Sequence, residues 1–130
     1  MWQENVDLVQ GVYGAYVTGD ADTVRKAFHP DITWHNSGHG PTSGTYHGVA
    51  AVLDYLMGED HMDDYRLDVI DVLASAERVA VVARTSGRRG TRTIQNDFLQ
   101  LIQIRTGQIV EVRNYYWDPQ AVDDFMATPK

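Results

Sequence analysis

The hydrophobic positions change their period once along the chain, and the change divides a helical first part from a strand-rich second part. Between residues 3 and 17, Val6, Val9, Tyr13, Tyr16 and Val17 recur at spacings of three, four, three and one, which is one face of an amphipathic helix. GDAD at 19–22 stops it and offers Asp20 or Asp22 as the N-cap of a short second helix, with Val24, Ala27 and Phe28 as its stripe and His29-Pro30 as its end. After a strand at 31–36 and a glycine-rich loop, Val49, Val52, Leu53 and Leu56 return to helical spacing, with Gly58 as C-cap. From Arg66 to Trp117 the apolar positions alternate or run together in RLDVIDVL, RVAVVARTSG, TRTIQNDFLQLIQI and QIVEVRNYYW. The breaks ASAE, GRRG and RTG read as tight turns, so these four strands form an antiparallel meander. DPQAVDDFMA closes the chain as a short helix with an Asp-Pro start. Helices first and one curled antiparallel sheet afterwards make an α+β chain, with the helices on one face of the sheet.

Strand alternation also predicts a pocket. With Arg105-Thr106-Gly107 as a three-residue hairpin loop, Ile104 faces Gln108, Ile102 faces Val110, Gln100 faces Val112, Phe98 faces Asn114, Asn96 faces Tyr116, and Ile94 lies near Asp118. These even-numbered residues share one side of the sheet, apolar near the turn and polar at the far end. Asn96, Gln100, Asn114, Tyr116 and Asp118 cost about 1–3 kcal/mol each if buried without partners, so the expected arrangement is a cavity at the wide end of the sheet. The odd-numbered side carries Leu99, Leu101, Ile109, Tyr115 and Trp117 beside Asp97, Glu111 and Arg113. It is too apolar to lie fully in water, and a second copy in a two-fold dimer is the economical cover.

Composition narrows the chemistry. The 130 residues are one domain long, 1–130, with 43% hydrophobic and 22% charged residues. No apolar run approaches the roughly 18 residues of a membrane span, and MWQENVDLVQ carries no secretory signal, so the expected compartment is the cytoplasm. The absence of cysteine removes disulfides, thiolate metal sites and thiol nucleophiles. A net charge of −7 opposes nucleic-acid binding. Arg84, Arg88, Arg89 and Arg92 flank a hairpin and read as a solvated strand edge or tip.

The stretch DITWHNSGHGPTSGTYHG at 31–48 is the chemically densest. Alternation puts Ile32, Trp34 and Asn36 on one strand face and Thr33 and His35 on the other, so Trp34 becomes a cavity wall and Asn36 a polar contact. His35 joins them only through a bulge or round the strand edge. The glycines match neither GxGxxG nor GxxxxGK[ST] and describe a turning loop. His35, His39 and His47 fit no familiar zinc spacing, HExxH is absent, and no metal is expected. GxSxG is missing, which argues against a serine hydrolase.

Trp34-His35, the segment Gly44-Thr45-Tyr46-His47-Gly48 before VAAVLDYL, Gly107-Gln108-Ile109-Val110-Glu111, and Gly19-Asp20 after the first helix together resemble the SnoaL-like, ketosteroid isomerase-related branch of the nuclear transport factor 2-like superfamily. The resemblance spans nearly the whole chain. It implies a cystatin-like cone of curled sheet whose N-terminal helices close a pocket, and a homodimer through the outer sheet face. Relatives include isomerases, polyketide cyclases, epoxide hydrolases, dehydratases and proteins that only bind ligands, so fold alone does not choose the reaction. Where the isomerases carry a general-base Asp this chain has Asn36, and Gln100 falls closest to their protonated Asp. Tyr13 and Tyr16 are near, but not on, their helical tyrosine position. The Asp-Arg-Asp set of the epoxide hydrolases is absent from the even face.

Two readings follow. One is a cofactor-independent isomerase, cyclase or hydrolase-like enzyme moving a proton on a hydrophobic carbonyl-bearing or polycyclic metabolite. Asp118 or His35 is its acid/base; Tyr16, Tyr46, Asn96, Asn114 and Tyr116 orient the ligand; Trp34 and Phe98 form walls, with Asn36 and Gln100 as further polar contacts. Asp118, directly before Pro119, is equally an N-cap. The other reading is a non-catalytic domain whose pocket holds an apolar ligand, oriented by Asn, Gln and Tyr.

Overall fold

The structure, a computed structural model, describes residues 2–58 and 62–129. Helices α1 (Trp2–Thr18) and α2 (Ala21–Ala27) lead into strands β1 (Phe28–Asn36) and β2 (Gly44–His47) and helix α3 (Val49–Met57). Strands β3 (Asp63–Ala74), β4 (Arg78–Arg89), β5 (Arg92–Arg105) and β6 (Gln108–Tyr116) form the meander, and helix α4 (Pro119–Met126) follows it. Local signals account for most boundaries. Asp20 caps α2, its carboxylate accepting from the Thr23 amide at 3.2 Å and the Thr23 hydroxyl at 2.6 Å. The expected end of that helix at His29-Pro30 is two residues late, because Phe28 already has extended backbone and the strand begins there.

The six strands form one curled, open sheet in the order β2-β1-β6-β5-β4-β3. The meander from β3 to β6 is antiparallel, as expected, but the whole sheet is mixed, since β1 runs parallel to β6. Sequence spacing carries no sign of this pairing, which joins positions about 80 residues apart. The β1–β6 ladder skips between Phe28 and Thr33. Pro30, with no amide hydrogen to donate, lies in that gap. Part of the expected loop at 37–48 is also strand: β2 pairs with β1 through Trp34 opposite Tyr46 and His35 opposite Thr45.

The β5–β6 hairpin corrects the expected register. Its turn has two residues, Thr106 and Gly107, with φ of 53° and 76°, between the paired Arg105 and Gln108. Positive φ at both positions is what the right-handed twist of a tight hairpin demands, and Gly107 meets it without strain. A bulge between Gln103 and Ile104 then makes Val110 the extra residue, so Ile109 turns inward to face Ile104 and is only 1% exposed. Beyond the bulge, Gln100 pairs with Asn114 and Phe98 with Tyr116, two residues away from the expected partners. A shift of two preserves parity, so these even-numbered residues remain on the inner face.

The core lies between that inner face and the helices. Ile32, Val52, Val79, Val81, Ile102 and Val112 are buried in it, with Val9 and Val24 from the first two helices. Burial of each such side chain contributes about 1.5–3 kcal/mol. Val17, expected on the buried face of the first helix, is exposed. On the outer face Leu73, Leu99 and Tyr115 are exposed beside the Arg84–Asp97 pair at 2.7 Å and the Arg113–Glu111 pair at 3.0 Å. Among the expected hairpin arginines, Arg89 is buried and donates to the Thr128 carbonyl at 2.8 Å, while Arg92 reaches the Thr128 hydroxyl at 3.2 Å. They clamp the C-terminal end of α4 instead of forming a solvated tip, a position where the helix dipole favours cations.

Ile109→Ala should therefore lose about 2–5 kcal/mol of stability in urea denaturation, and Val110→Ala about 1 kcal/mol or less. Equal losses at the two positions would contradict the bulge.

Candidate functional site

A cavity of about 380 Å³ opens between the inner sheet face and the helices. Val9, Val12, Tyr13 and Tyr16 of α1 form its roof, and Phe28 and Trp34 belong to the β1 wall. Asn96, Phe98, Gln100 and Ile102 come from β5, and Val112, Asn114 and Tyr116 from β6. Val122, Phe125 and Met126 of α4, Tyr55 of α3, and Tyr65 and Leu67 of β3 also line it. On β5, and on β6 beyond the bulge, every second residue faces the cavity, the consequence of the parity that survives the register shift.

Three amides cross the polar end in one hydrogen-bonded chain. Tyr13 Oη donates to Gln100 Oε1 at 2.6 Å, Gln100 Nε2 to Asn114 Oδ1 at 2.9 Å, and Asn114 Nδ2 to Asn36 Oδ1 at 2.8 Å. Asn36 Oδ1 also accepts from Trp34 Nε1 at 2.9 Å, and Asn36 Nδ2 donates to the Thr42 carbonyl at 2.9 Å. Asn36, Gln100 and Asn114 are thereby buried without unsatisfied groups, which would otherwise cost about 1–3 kcal/mol each. Asn96 is different. It is 6% exposed and borders the cavity, and its Nδ2 has no hydrogen-bond partner.

The remaining polar lining is largely phenolic. Burial pushes the hydroxyls of Tyr13, Tyr55 and Tyr65 far above the ordinary tyrosine range, and neighbouring Tyr16 adds to the effect at Tyr13. Tyr16 is raised by burial too, opposed by its hydrogen bond with Tyr65. Burial pushes Tyr116 up to about 12, with a hydrogen bond to Tyr55 working the other way. All five keep their protons at neutral pH. Among the described residues, the carboxylate bordering the cavity is Asp54 of α3, an exposed residue. The described lining can therefore wrap an uncharged apolar body and offer it neutral hydrogen-bonding groups.

Of the residues expected at this site, Tyr16, Trp34, Asn96, Phe98, Gln100, Asn114 and Tyr116 line the cavity. Asn36 ties the amide chain together behind it. Tyr46 stacks on Tyr55 with ring centroids 4.7 Å apart and donates to the Thr42 carbonyl at 3.0 Å, so it braces the wall from outside the lining. Asp118 is not at the deep end of the even face. Strand β6 ends at Tyr116, and the exposed Asp118 caps α4 by accepting from the Ala121 amide at 3.0 Å. His35 points away from the cavity, as unbroken alternation requires, with Nδ1 2.9 Å from Thr45 Oγ1 and Nε2 3.6 Å from Glu111 Oε2. The exposed His39 and His47 do not join it, and among the described residues no group of three His, Asp or Glu side chains converges to hold a metal ion.

Sequence reasoning missed Tyr55, Tyr65 and Asp123. Tyr55 stands three residues after Val52 on the buried side of the third helix, a signal that was available. Tyr65 falls one residue before the expected start of its strand. Asp123 accepts from the His39 amide at 2.6 Å and the Ser43 hydroxyl at 3.2 Å, fastening the 37–43 loop to α4. A Cβ on Gly40 would stand 2.8 Å from the Asp123 Cα, so the close approach of loop and helix requires glycine there.

The family model of the SnoaL-like domain matches residues 9–112. The chain belongs to the SnoaL-like family. An uncharacterized protein of Mycobacterium tuberculosis is 26% identical to this SnoaL-like chain over 126 residues, covering 95% of it and 96% of the relative. A Xanthomonas campestris protein of unknown function with a cystatin-like fold is 30% identical and superposes with a TM-score of 0.84 over 93% of this chain and 96% of the other. Bal32a, from a soil-derived mobile gene cassette, is 22% identical and shares the fold with a TM-score of 0.89, covering 95% and 97% of the two chains. No described helix of this SnoaL-like domain is long and apolar enough to cross a membrane.

The tyrosine cluster sets an alkaline limit on stability. A phenol whose folded pKa is raised contributes stability fully present below its unfolded value of 10.0 and lost as pH rises through the folded value. For Tyr116 that window runs from pH 10 to about 12 and carries about 2–3 kcal/mol. Urea midpoints measured against pH should be level in this respect up to pH 10 and fall above it; a midpoint unchanged up to pH 12 would contradict the buried, neutral state of these phenols.

Proposed function

We propose that this SnoaL-like domain binds a small, uncharged, hydrophobic molecule that presents a hydrogen-bond acceptor, such as a carbonyl oxygen, to Asn96. The observation that carries the proposal is the buried, unpartnered Nδ2 of Asn96, a residue of the cavity lining. Neighbouring polar groups that are equally buried have their partners within the protein, whereas this one keeps an unpaired donor beside the cavity. The apolar majority of the lining supplies the binding energy, and Asn96 fixes orientation. Within the described lining Asn96 is the amide free to hold such a carbonyl; the bordering carboxylate is the exposed Asp54, and neither Asp118 nor His35 borders the cavity. The reading is accordingly one of ligand binding over proton transfer.

Two biphenyls test it, one carrying an acetyl group and one an ethyl group at the same ring position. Calorimetry on the purified protein should show the ketone binding about tenfold tighter, with the difference removed by Asn96→Leu. Equal affinity of the two compounds for the unmodified protein would overturn the assignment of Asn96.

We propose further that a second copy of the chain covers the outer sheet face. The support is the exposed, apolar Leu99–Tyr115 pair, set between the Arg84–Asp97 and Arg113–Glu111 ion pairs on a face too apolar to be left to water. Sedimentation velocity should give a dimer that Leu99→Asp with Tyr115→Asp converts to monomer. A monomer before substitution would refute this arrangement.

A further inference from the structure

Every amide in the buried chain has its orientation fixed by groups that have no choice of role. The Thr42 carbonyl can only accept, and the Trp34 indole N–H can only donate. Both touch Asn36, so its Nδ2 must face Thr42 and its Oδ1 must face Trp34. The same oxygen then meets Asn114, which must present Nδ2 and keep Oδ1 for Gln100. Gln100 in turn must present Nε2 to Asn114 and Oε1 to Tyr13. The polarity set at Trp34 and Thr42 thus travels through three side chains and commits the Tyr13 hydroxyl proton, at 2.6 Å, to Gln100.

A phenol whose proton is committed still has lone pairs to offer. Tyr13 borders the cavity, and its proton is not lost at neutral pH, because burial holds the hydroxyl un-ionised. Toward a ligand it is a hydrogen-bond acceptor. Asn96 Nδ2, on the same strand face as Gln100 but four residues away, is a donor. At about 3.3 Å of rise per residue the two positions lie roughly 13 Å apart along β5, with Phe98 between them.

From this polarity we infer that the ligand is an elongated apolar molecule bearing a hydrogen-bond donor, a hydroxyl or N–H, at its Tyr13 end and an acceptor at its Asn96 end. The inference rests on the cavity being a ligand site, and it adds a requirement the first reading lacks. A molecule offering only acceptors would set an oxygen lone pair against that of Tyr13, which cannot turn its proton round without leaving Gln100 Oε1 unpaired. A molecule entering the other way round would place its donor against Asn96 Nδ2. The site therefore selects both the chemistry and the direction of its ligand.

The test extends the biphenyl pair with a hydroxyl or a methoxy group at the far para position of the acetyl compound. With the protein as it stands, the hydroxy ketone should bind about tenfold tighter than the parent ketone, and the methoxy ketone no tighter than the parent. Tyr13→Phe should bring the hydroxy ketone down to the parent's affinity, while binding of the parent ketone reports that the variant is folded. Should Tyr13→Phe not fold, the comparison on the unmodified protein decides. Equal affinities of hydroxy and parent ketones, or a hydroxyl preference that survives in Tyr13→Phe, would overturn the inference yet leave the Asn96 reading in place. Loss of discrimination between acetyl and ethyl biphenyl would instead overturn the reading beneath it.

Discussion

A buried polar group must find a partner or remain a standing cost, and the wide end of this sheet is organised around that constraint. Asn36, Gln100 and Asn114 sit where the curled sheet and the helices exclude water, and they are tolerated because each closes a hydrogen bond with the next. The chain they form is anchored by Trp34 and the Thr42 carbonyl at one end and by Tyr13 at the other, which ties β1, β5, β6, α1 and the 37–43 loop together. A chain of this kind is rigid because shifting any one member unpairs its neighbours. It holds the floor of the cavity in place while Asn96, outside the chain, stays available.

The rest of the cavity follows from how that floor is enclosed. The α1 helix lays Val9, Tyr13 and Tyr16 across it, and α4 closes the opposite side with Val122 and Phe125. Position of α4 is fixed at both ends. Asp118 caps its start and Asp123 fastens its flank to the glycine loop, while Arg89 and Arg92 hold the carbonyl and hydroxyl of Thr128 just past its end. Charged residues that read in the sequence as acid/base or surface candidates are thus employed in holding the enclosure. Apart from Asp54 at its border, the described lining carries no charged side chain, and a mostly apolar site of this kind is suited to recognition by shape and by a few directed hydrogen bonds.

Much of this was legible from spacing. The inner-face set on β5 and β6 followed from alternation alone, and it withstood an error of two residues in register because side-chain direction depends only on parity. Trp34 as a wall residue and His35 as an outward one followed from the same rule. Ile109 did not, because the bulge at Val110 breaks parity for the last residues before the turn. Nothing in QIVEV marks which residue the partner strand will skip. Asp118 was misplaced for a different reason: β6 ends at Tyr116, and Asp118 lies beyond it as the N-cap of α4, where strand alternation no longer sets side-chain direction.

By itself the sequence determined the family, the helices, the four-strand meander and most of the faces they bury, because periods of 2 and 3.6 residues, caps and turns are local and survive small errors of register. The tertiary structure alone decided which strands run parallel, where the bulge falls and which polar groups meet. Those outcomes depend on contacts between distant positions, such as Tyr13 with Gln100, 87 residues apart, whose geometry no local pattern encodes. The direction in which Asn36, Asn114 and Gln100 point their amides belongs to that second class. It is set by an indole and a carbonyl that only the folded chain brings to the same side chain.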